Sequence, residues 1–200
     1  MDPWRLASHL VLLRSWTNTE HVSASTDIID RHLPGETRIL EVGCGSTPHP
    51  RTTIGLDHEH AASRAAATQT RVVTGDATRL PFARHSFTAV LARGVCHHLT
   101  DLAAFLTEAA RVLQHDGQLL ILDAEPMPAR DFDLMTQQLT RAGLDPEPRN
   151  GLDPAMLHRT ATALGYSRLH SHPTGRWTHA TPPHAEREFS SPAHLHILQR

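Results

Sequence analysis

The stretch Ile39-Leu40-Glu41-Val42-Gly43-Cys44-Gly45 is the most informative part of the chain. A short apolar run that contains one carboxylate is followed by a turn with two glycines. Because glycine has no Cβ, such a turn lets the backbone approach a ligand where any side chain would collide. The heptad therefore predicts a parallel strand that leads into a small-molecule site at its carboxyl end.

Later apolar runs carry polar residues at their ends in the same way. Thr53–Asp57 and Val72–Ala77 contain the acids Asp57 and Asp76, and Ala89–Arg93 is followed by Cys96-His97-His98-Leu99. Arg111–Leu113 indicates a helix end, and after a turn at His115-Asp116 the run Gly117–Asp123 indicates a fifth strand. These signals place several functional groups at one edge of a sheet.

This ordered series resembles the class I S-adenosylmethionine (SAM) dependent methyltransferases, in particular the methyltransferase type 11 branch of ubiquinone-biosynthesis and natural-product enzymes. The resemblance covers roughly residues 36–123. It implies an α/β fold: a doubly wound, mostly parallel, seven-stranded Rossmann-like sheet with an antiparallel C-terminal strand pair and an N-terminal helical cap. It also implies SAM as cofactor, S-adenosyl-L-homocysteine as product and a small-molecule substrate.

The chain length suits a single domain over residues 1–200. We expect a helical cap or lid over 1–34, a cofactor-binding core over 36–123, and C-terminal helices with the last two strands over 124–200. Apolar spacing predicts helices and strands outside the core. The helices are 4–16, 25–33, 101–113, 132–142 and 154–164, the last strands are 166–172 and 193–198, and a loop over 17–21 is a candidate lid.

Composition excludes several classes of function. The chain has 39% hydrophobic residues, a formal net charge of −2 and no lysine, so no basic field for nucleic acid is expected. No apolar run approaches the ~20 residues of a membrane span, and the first residues lack the pattern of a signal peptide. We therefore expect a cytoplasmic monomer or homodimer with no membrane partner, in which Cys44 and Cys96 remain reduced.

The resemblance assigns the cofactor contacts. Backbone amides of the turn Gly43-Cys44-Gly45 would face the methionine carboxylate, and Glu41 would anchor that turn. Asp57 would accept two hydrogen bonds from the ribose hydroxyls, and capping of the next helix is the alternative role for this carboxylate. Asp76 and the Ala77 amide would bind adenine. The predicted cofactor-binding residues are Glu41, Gly43, Cys44, Gly45, Asp57, His58, Gly75, Asp76, Ala77 and Arg93.

The segment after the glycine turn departs from the family pattern. Thr47 stands where the family often has a third glycine, and Pro48 and Pro50 leave about one turn before the second strand. The first crossover helix is therefore expected to be missing or very short. Without its dipole, an arginine, Arg51 or Arg93, is a candidate partner of the methionine carboxylate.

The resemblance also suggests a general base. In small-molecule O-methyltransferases a His after the fourth strand, supported by an acid after the fifth, removes the proton from the acceptor hydroxyl. His97 or His98, each with Asp123, would reproduce this arrangement. A structural role for His98 is the alternative.

Three other interpretations of the sequence are possible. The pairs His170/His172 and His194/His196 would each place two imidazoles on one strand face, yet no acids or cysteines cluster with them, so no metal is predicted. A nicotinamide dehydrogenase is disfavoured because its third glycine and long first helix are absent. A SAM-fold binding or scaffold protein with decayed catalysis remains the alternative to an enzyme.

Overall fold

The computed structural model describes residues 19–33, 35, 38–143, 149–178 and 187–199, without the side chains of residues 19–25, 61 and 178. Its helices are α1 (Thr19–His32), α2 (His60–Ala66), α3 (Leu102–Val112), α4 (Ala129–Arg141) and α5 (Pro154–Ala163), with a short 3₁₀ helix at Cys96–His98. Its strands are β1 (Ile39–Val42), β2 (Ile54–Asp57), β3 (Arg71–Thr74), β4 (Phe87–Arg93), β5 (Leu113–Ala124), β6 (Arg168–Thr178) and β7 (Ser190–Gln199).

The strands form a single sheet in the order β3-β2-β1-β4-β5-β7-β6. The strands β1 to β5 are parallel, whereas β7 is antiparallel to both β5 and β6. The strand order reverses between β1 and β4, and ligands of open α/β sheets bind at such a switch point beside the carboxyl ends of the strands. The predicted fold class is confirmed.

Apolar side chains cover both faces of the sheet. One face packs Val42, Val90 and Ile121 against α3 and α5, and Tyr166 donates a hydrogen bond to the Leu106 carbonyl there at 2.9 Å. The other face packs Leu91 and its neighbours against Ile29 and Leu33 at the end of α1. Phe87 is fully buried. With both faces filled, functional groups remain available at the strand ends.

Several predicted boundaries were wrong. Helix α1 begins at Thr19, so residues 19–21 of the predicted loop are helical, because no glycine or proline interrupts the chain from Thr19 to His32. The predicted helix 4–16 and residues 17–18 lie outside the described residues. The last two strands extend to 168–178 and 190–199, since cross-strand hydrogen bonds continue past Pro173 through a bulge.

The start of β5 also differs from the prediction. Strand β5 follows α3 directly, and the expected turn at His115-Asp116 lies inside the strand as an irregularity. Phe87 pairs with Leu113, but Ala89 pairs with Gln118, so the intervening β5 residues bulge out of the ladder. Helix α3 begins as predicted: the Asp101 side chain accepts a hydrogen bond from the Ala104 amide. No helix of the described residues has the length and apolarity to cross a membrane.

Candidate functional site

The turn after β1 contains two glycines whose surroundings differ. Both have positive φ, +67° at Gly43 and +56° at Gly45. A Cβ on Gly43 would collide with the side chain of Val95, whereas a Cβ on Gly45 would meet no protein atom within 4 Å. Gly43 is therefore required by packing, and the backbone of Gly45 borders open space where a ligand can approach.

A turn without a helix joins β1 to β2, as predicted. The fully buried Glu41 holds this segment: its Oε2 accepts hydrogen bonds from the His49 amide at 2.7 Å and the Thr52 hydroxyl at 2.6 Å. Its Oε1 accepts from Nε of Arg93 at 2.7 Å, and Nη2 of Arg93 donates to the Thr47 carbonyl at 2.8 Å. Glu41 and Arg93 thus form a buried ion pair, and their hydrogen bonds hold the loop between β1 and β2.

The second candidate arginine, Arg51, lies on the same loop. Its guanidinium contacts Asp30 of α1 at 3.4 Å and donates to the Gly35 carbonyl at 2.8 Å. Burial lowers the pKa of the neighbouring His49, and its Nε2 lies 3.8 Å from the same Asp30 carboxylate. These contacts join the loop to α1.

Asp57 ends β2 directly beside the glycine turn. Its Oδ2 accepts a hydrogen bond from the Gly45 amide at 2.8 Å, and its Oδ1 accepts one from the Glu59 amide at 2.9 Å. A carboxylate has about four lone-pair positions, so two remain for a ligand diol. The neighbouring His58 side chain is mostly exposed, with Nδ1 3.7 Å from Oδ1 of Asp57. Asp57 does not cap helix α2, whose N-cap residue is Glu59 and has no side-chain cap hydrogen bond.

Asp76 follows Gly75 after β3 and is exposed. Its Oδ1 accepts hydrogen bonds from the amide and the hydroxyl of Thr78, both at 2.8 Å, and these bonds lower the pKa of the carboxyl group. The Gly75 amide donates to the Asp57 carbonyl at 2.9 Å, which links the two strand ends. Ala77 and Leu80, which follow Asp76 in the chain, are buried.

His97 and Asp123 form a buried pair at the ends of β4 and β5. Nδ1 of His97 lies 2.6 Å from Oδ1 of Asp123, and the His97 amide donates to Oδ2 at 3.2 Å. The Ala124 amide also donates to Oδ1, at 2.8 Å. The side chains are 10% and 1% exposed, respectively. Of the two histidines that the sequence suggested, the structure pairs His97 with the acid.

His98 occupies a different position. Its side chain is exposed, and its ring lies against that of His97 with a centroid separation of 4.0 Å. Both histidines belong to the 3₁₀ helix that follows β4.

The two cysteines are free and buried. Burial raises the pKa of Cys44 to about 12, and the nearby carboxylates of Asp57 and Glu41 add to this effect. Burial likewise raises the pKa of Cys96 well above its ordinary value. Cys44 lies close to Gly55, where a Cβ would be 2.7 Å from its sulfur. Both thiols are thus protonated core residues.

The histidine pairs of β6 and β7 lie on neighbouring strands but on opposite faces. His170 and His172 pair with Ile197 and Leu195, whereas His194 and His196 pair with Pro173 and Ser171. Directly paired residues share a face, so the four imidazoles cannot surround one ion. No metal-binding group of three or more ligands occurs among the described residues.

Asn150 and Gly151, which the sequence analysis did not single out, pack against the chain at and just after the end of β5. Asn150 accepts a hydrogen bond from the Met127 amide and donates one to the Met127 carbonyl, at 2.9 and 2.8 Å. Gly151, with φ +69°, packs against the backbone of Ala124 and Glu125. The Asn-Gly dipeptide signals a turn, but its docking partner is distant in sequence and has no local signature.

Comparison with known proteins shows which class of protein the chain resembles. Residues 40–121 match the family model described as "Methyltransferase domain". The match covers less than half of the chain, and together with the strand order it shows similarity to the class I SAM-dependent methyltransferases. SAM is the cofactor of this class.

Individual relatives are similar over part of their length. A phthiotriol/phenolphthiotriol dimycocerosates methyltransferase of Mycobacterium ulcerans is 35% identical over 103 residues, covering 44% of this chain and 38% of that protein. A fatty-acid O-methyltransferase of Mycolicibacterium smegmatis is 37% identical over 103 residues, with the same two coverages, 44% and 38%. The chain thus spans about two fifths of the length of these curated relatives.

Solved structures agree over most of the chain. A SAM-dependent methyltransferase of Thermotoga maritima, described as a possible histamine N-methyltransferase, has a TM-score of 0.67 at 17% identity and covers 90% of this chain and 89% of its own. The YcgJ protein of Bacillus subtilis has a TM-score of 0.65 at 20% identity, covering 90% and 99%. At these identities the likeness concerns the fold.

Proposed function

We propose that the protein binds SAM and transfers its methyl group to a hydroxyl oxygen of a small-molecule acceptor, with His97 as general base. The observation that carries this proposal is the buried His97–Asp123 pair, which lies at the strand ends beside the glycine turn. We also propose that the protein acts in the cytoplasm.

The residues at the strand ends fit SAM in three places. Amides of the turn from Gly43 to Gly45 would hold the methionine carboxylate, in a loop shaped by Glu41 and Arg93. Asp57 has acceptor positions left for the ribose hydroxyls after its two amide bonds. Asp76, already held as an anion by Thr78, would accept from the adenine amino group, with Ala77 beside it.

When bound, SAM supplies an electrophilic sulfonium methyl group. The chain must align the acceptor oxygen, exclude water and receive one proton. In the tautomer that donates from Nδ1 to Asp123, Nε2 of His97 carries the lone pair that takes the hydroxyl proton. Asp123 then stabilises the resulting imidazolium. The name of the curated fatty-acid O-methyltransferase supports an oxygen acceptor.

A scaffold protein with decayed catalysis is the second candidate function. The turn that replaces the first crossover helix favours it, because a helix N-terminus commonly supports the cofactor in this kind of fold. An intact Asp57, Asp76 and His97–Asp123 pair favours the enzyme. A decayed member would neither bind SAM nor form S-adenosylhomocysteine with any acceptor.

Two variants test the assignment of the base. His97→Ala should bind SAM normally yet lose roughly a hundredfold or more in turnover, since general base catalysis contributes ~10² to 10⁴-fold. His98→Ala, which alters the exposed neighbour, is the matched control and should retain most activity. Turnover is measured as the S-adenosylhomocysteine formed from SAM when an extract of small-molecule acceptors is present. Equal turnover of both variants and the wild type would show that alignment alone suffices.

A further inference from the structure

A second acid and imidazole lie next to the proposed base. Glu125 comes two residues after Asp123, and alternate residues of a strand point to the same face. His194 pairs directly with Asp123 across β5 and β7, so it shares that face. The side chains of Glu125 and His194 are 29% and 23% exposed, which keeps them within reach of a ligand.

The Glu125 carboxylate has unused hydrogen-bonding capacity. Nδ1 of His194 lies 2.9 Å from its Oε1, but this contact is not aligned as a hydrogen bond. No residue that the structure describes donates a hydrogen bond to the Glu125 side chain. Asp123, in contrast, accepts three such bonds from His97 and Ala124. The two acids therefore differ in role: Asp123 binds His97, whereas Glu125 can accept a hydrogen bond from a ligand.

The backbone around Glu125 is fixed. Its amide donates to the Pro192 carbonyl at 2.8 Å, and the Leu152 amide donates to the Ala124 carbonyl at 2.8 Å. Gly151 packs so closely that a Cβ there would lie 2.6 Å from the carbonyl carbon of Glu125. A carboxylate on such a rigid support is preorganised for recognition.

From these contacts, and resting on the proposed function, we infer that Glu125, flanked by His194, recognises a second hydrogen-bond donor of the acceptor. Two residues along a strand span roughly 6 to 7 Å, so Glu125 and the Asp123–His97 pair can contact different groups of one small acceptor. A hydroxyl or a protonated amine satisfies the carboxylate. A hydrocarbon at the same place would desolvate a charge without replacing its hydrogen bonds, which is unfavourable.

Matched phenols test this inference. 4-Hydroxybenzyl alcohol and 4-ethylphenol have nearly the same shape and differ in one hydroxyl, and 4-hydroxybenzylamine places an ammonium there. Their affinities are measured by calorimetry on the protein saturated with S-adenosylhomocysteine. We expect the alcohol or the amine to bind at least roughly tenfold more tightly than 4-ethylphenol. Comparing those two probes distinguishes a hydroxyl from a cationic partner.

Two variants give the inference its control. Glu125→Gln keeps the side-chain size and should abolish the preference while leaving S-adenosylhomocysteine affinity unchanged. Asp116→Asn alters an exposed acid at the other end of β5 and should preserve it. Equal binding of all three probes, no binding by any of them, or a preference that survives in Glu125→Gln would overturn the inference. Failure of the proposed function would instead appear as loss of S-adenosylhomocysteine binding by the wild type.

Discussion

At the residue scale, the carboxylates at the strand ends bind different partners. Glu41 is buried and points into the protein, where it fixes a loop. Asp57 is shared between the glycine turn and the start of the next segment, and Asp123 is bonded to His97. The sequence predicted a turn anchor in Glu41, a ribose contact in Asp57 and a histidine partner in Asp123, and the structure adds the protein atoms that each carboxylate bonds.

Replacing Asp57 tests the ribose contact. Asp57→Ala removes two charge-assisted hydrogen bonds to the cofactor, each worth about 1.5 to 3 kcal/mol, so SAM affinity should fall at least roughly tenfold. Calorimetry measures the affinity, and thermal unfolding checks that the variant is folded. Asp116→Ala, an exposed acid away from the strand carboxyl ends, is the control and should bind as the wild type does. Unchanged affinity in folded Asp57→Ala would move the ribose contact to another residue.

At the element scale, the loop between β1 and β2 replaces a helix with a buried ion pair. Its two prolines predicted the missing helix, because proline lacks an amide donor and restricts the residue before it. The pairing of Glu41 with Arg93 was not predictable in the same way: the residues are 52 positions apart and meet only because β1 lies beside β4. Local signals thus located the strand ends, whereas contacts between elements required the fold.

Separating the ion pair should destabilise the protein. Arg93→Met leaves Glu41 as an uncompensated buried charge, at an expected cost of about 3 to 5 kcal/mol. The double variant Glu41→Gln, Arg93→Met removes that charge and should recover part of the loss. Urea unfolding of the single and double variants measures both effects. Additive losses in the double variant would contradict a direct coupling between the two side chains.

The C-terminal boundaries show the same division between local and distant information. The predicted strands 166–172 and 193–198 leave out a segment rich in prolines, histidines and threonines, yet both observed strands extend into it. Pairing between β6 and β7 overrides the local composition, with a bulge near Pro173. Asp101 and Asp153, in contrast, cap their helices through local hydrogen bonds from the amides of Ala104 and Ala155.

At the scale of the whole molecule, a buried histidine makes stability depend on pH. His196 is 2% exposed, and Nδ1 lies 2.7 Å from the Ser171 hydroxyl. Burial lowers its pKa to about 4, and the nearby His194 acts in the same direction. Between pH 4 and 6.5 the unfolded chain therefore binds more protons at this site than the folded protein does.

Stability should consequently decrease as the pH falls through this range. The expected contribution of His196 is about 3 kcal/mol, fully present above pH ~6.5 and lost near pH ~4. Urea unfolding at several pH values measures the slope. His196→Gln cannot titrate and should show a shallower slope, while a slope identical to that of the wild type would contradict the assignment to His196.

Calorimetric titration of the wild-type protein with SAM and with S-adenosylhomocysteine tests whether the strand ends of this chain form a SAM site. We predict saturable binding of both ligands with one site per chain, together with a rise in thermal unfolding temperature. No measurable heat and no thermal shift at millimolar ligand, in a protein shown to be folded, would show that the strand ends do not form a SAM site.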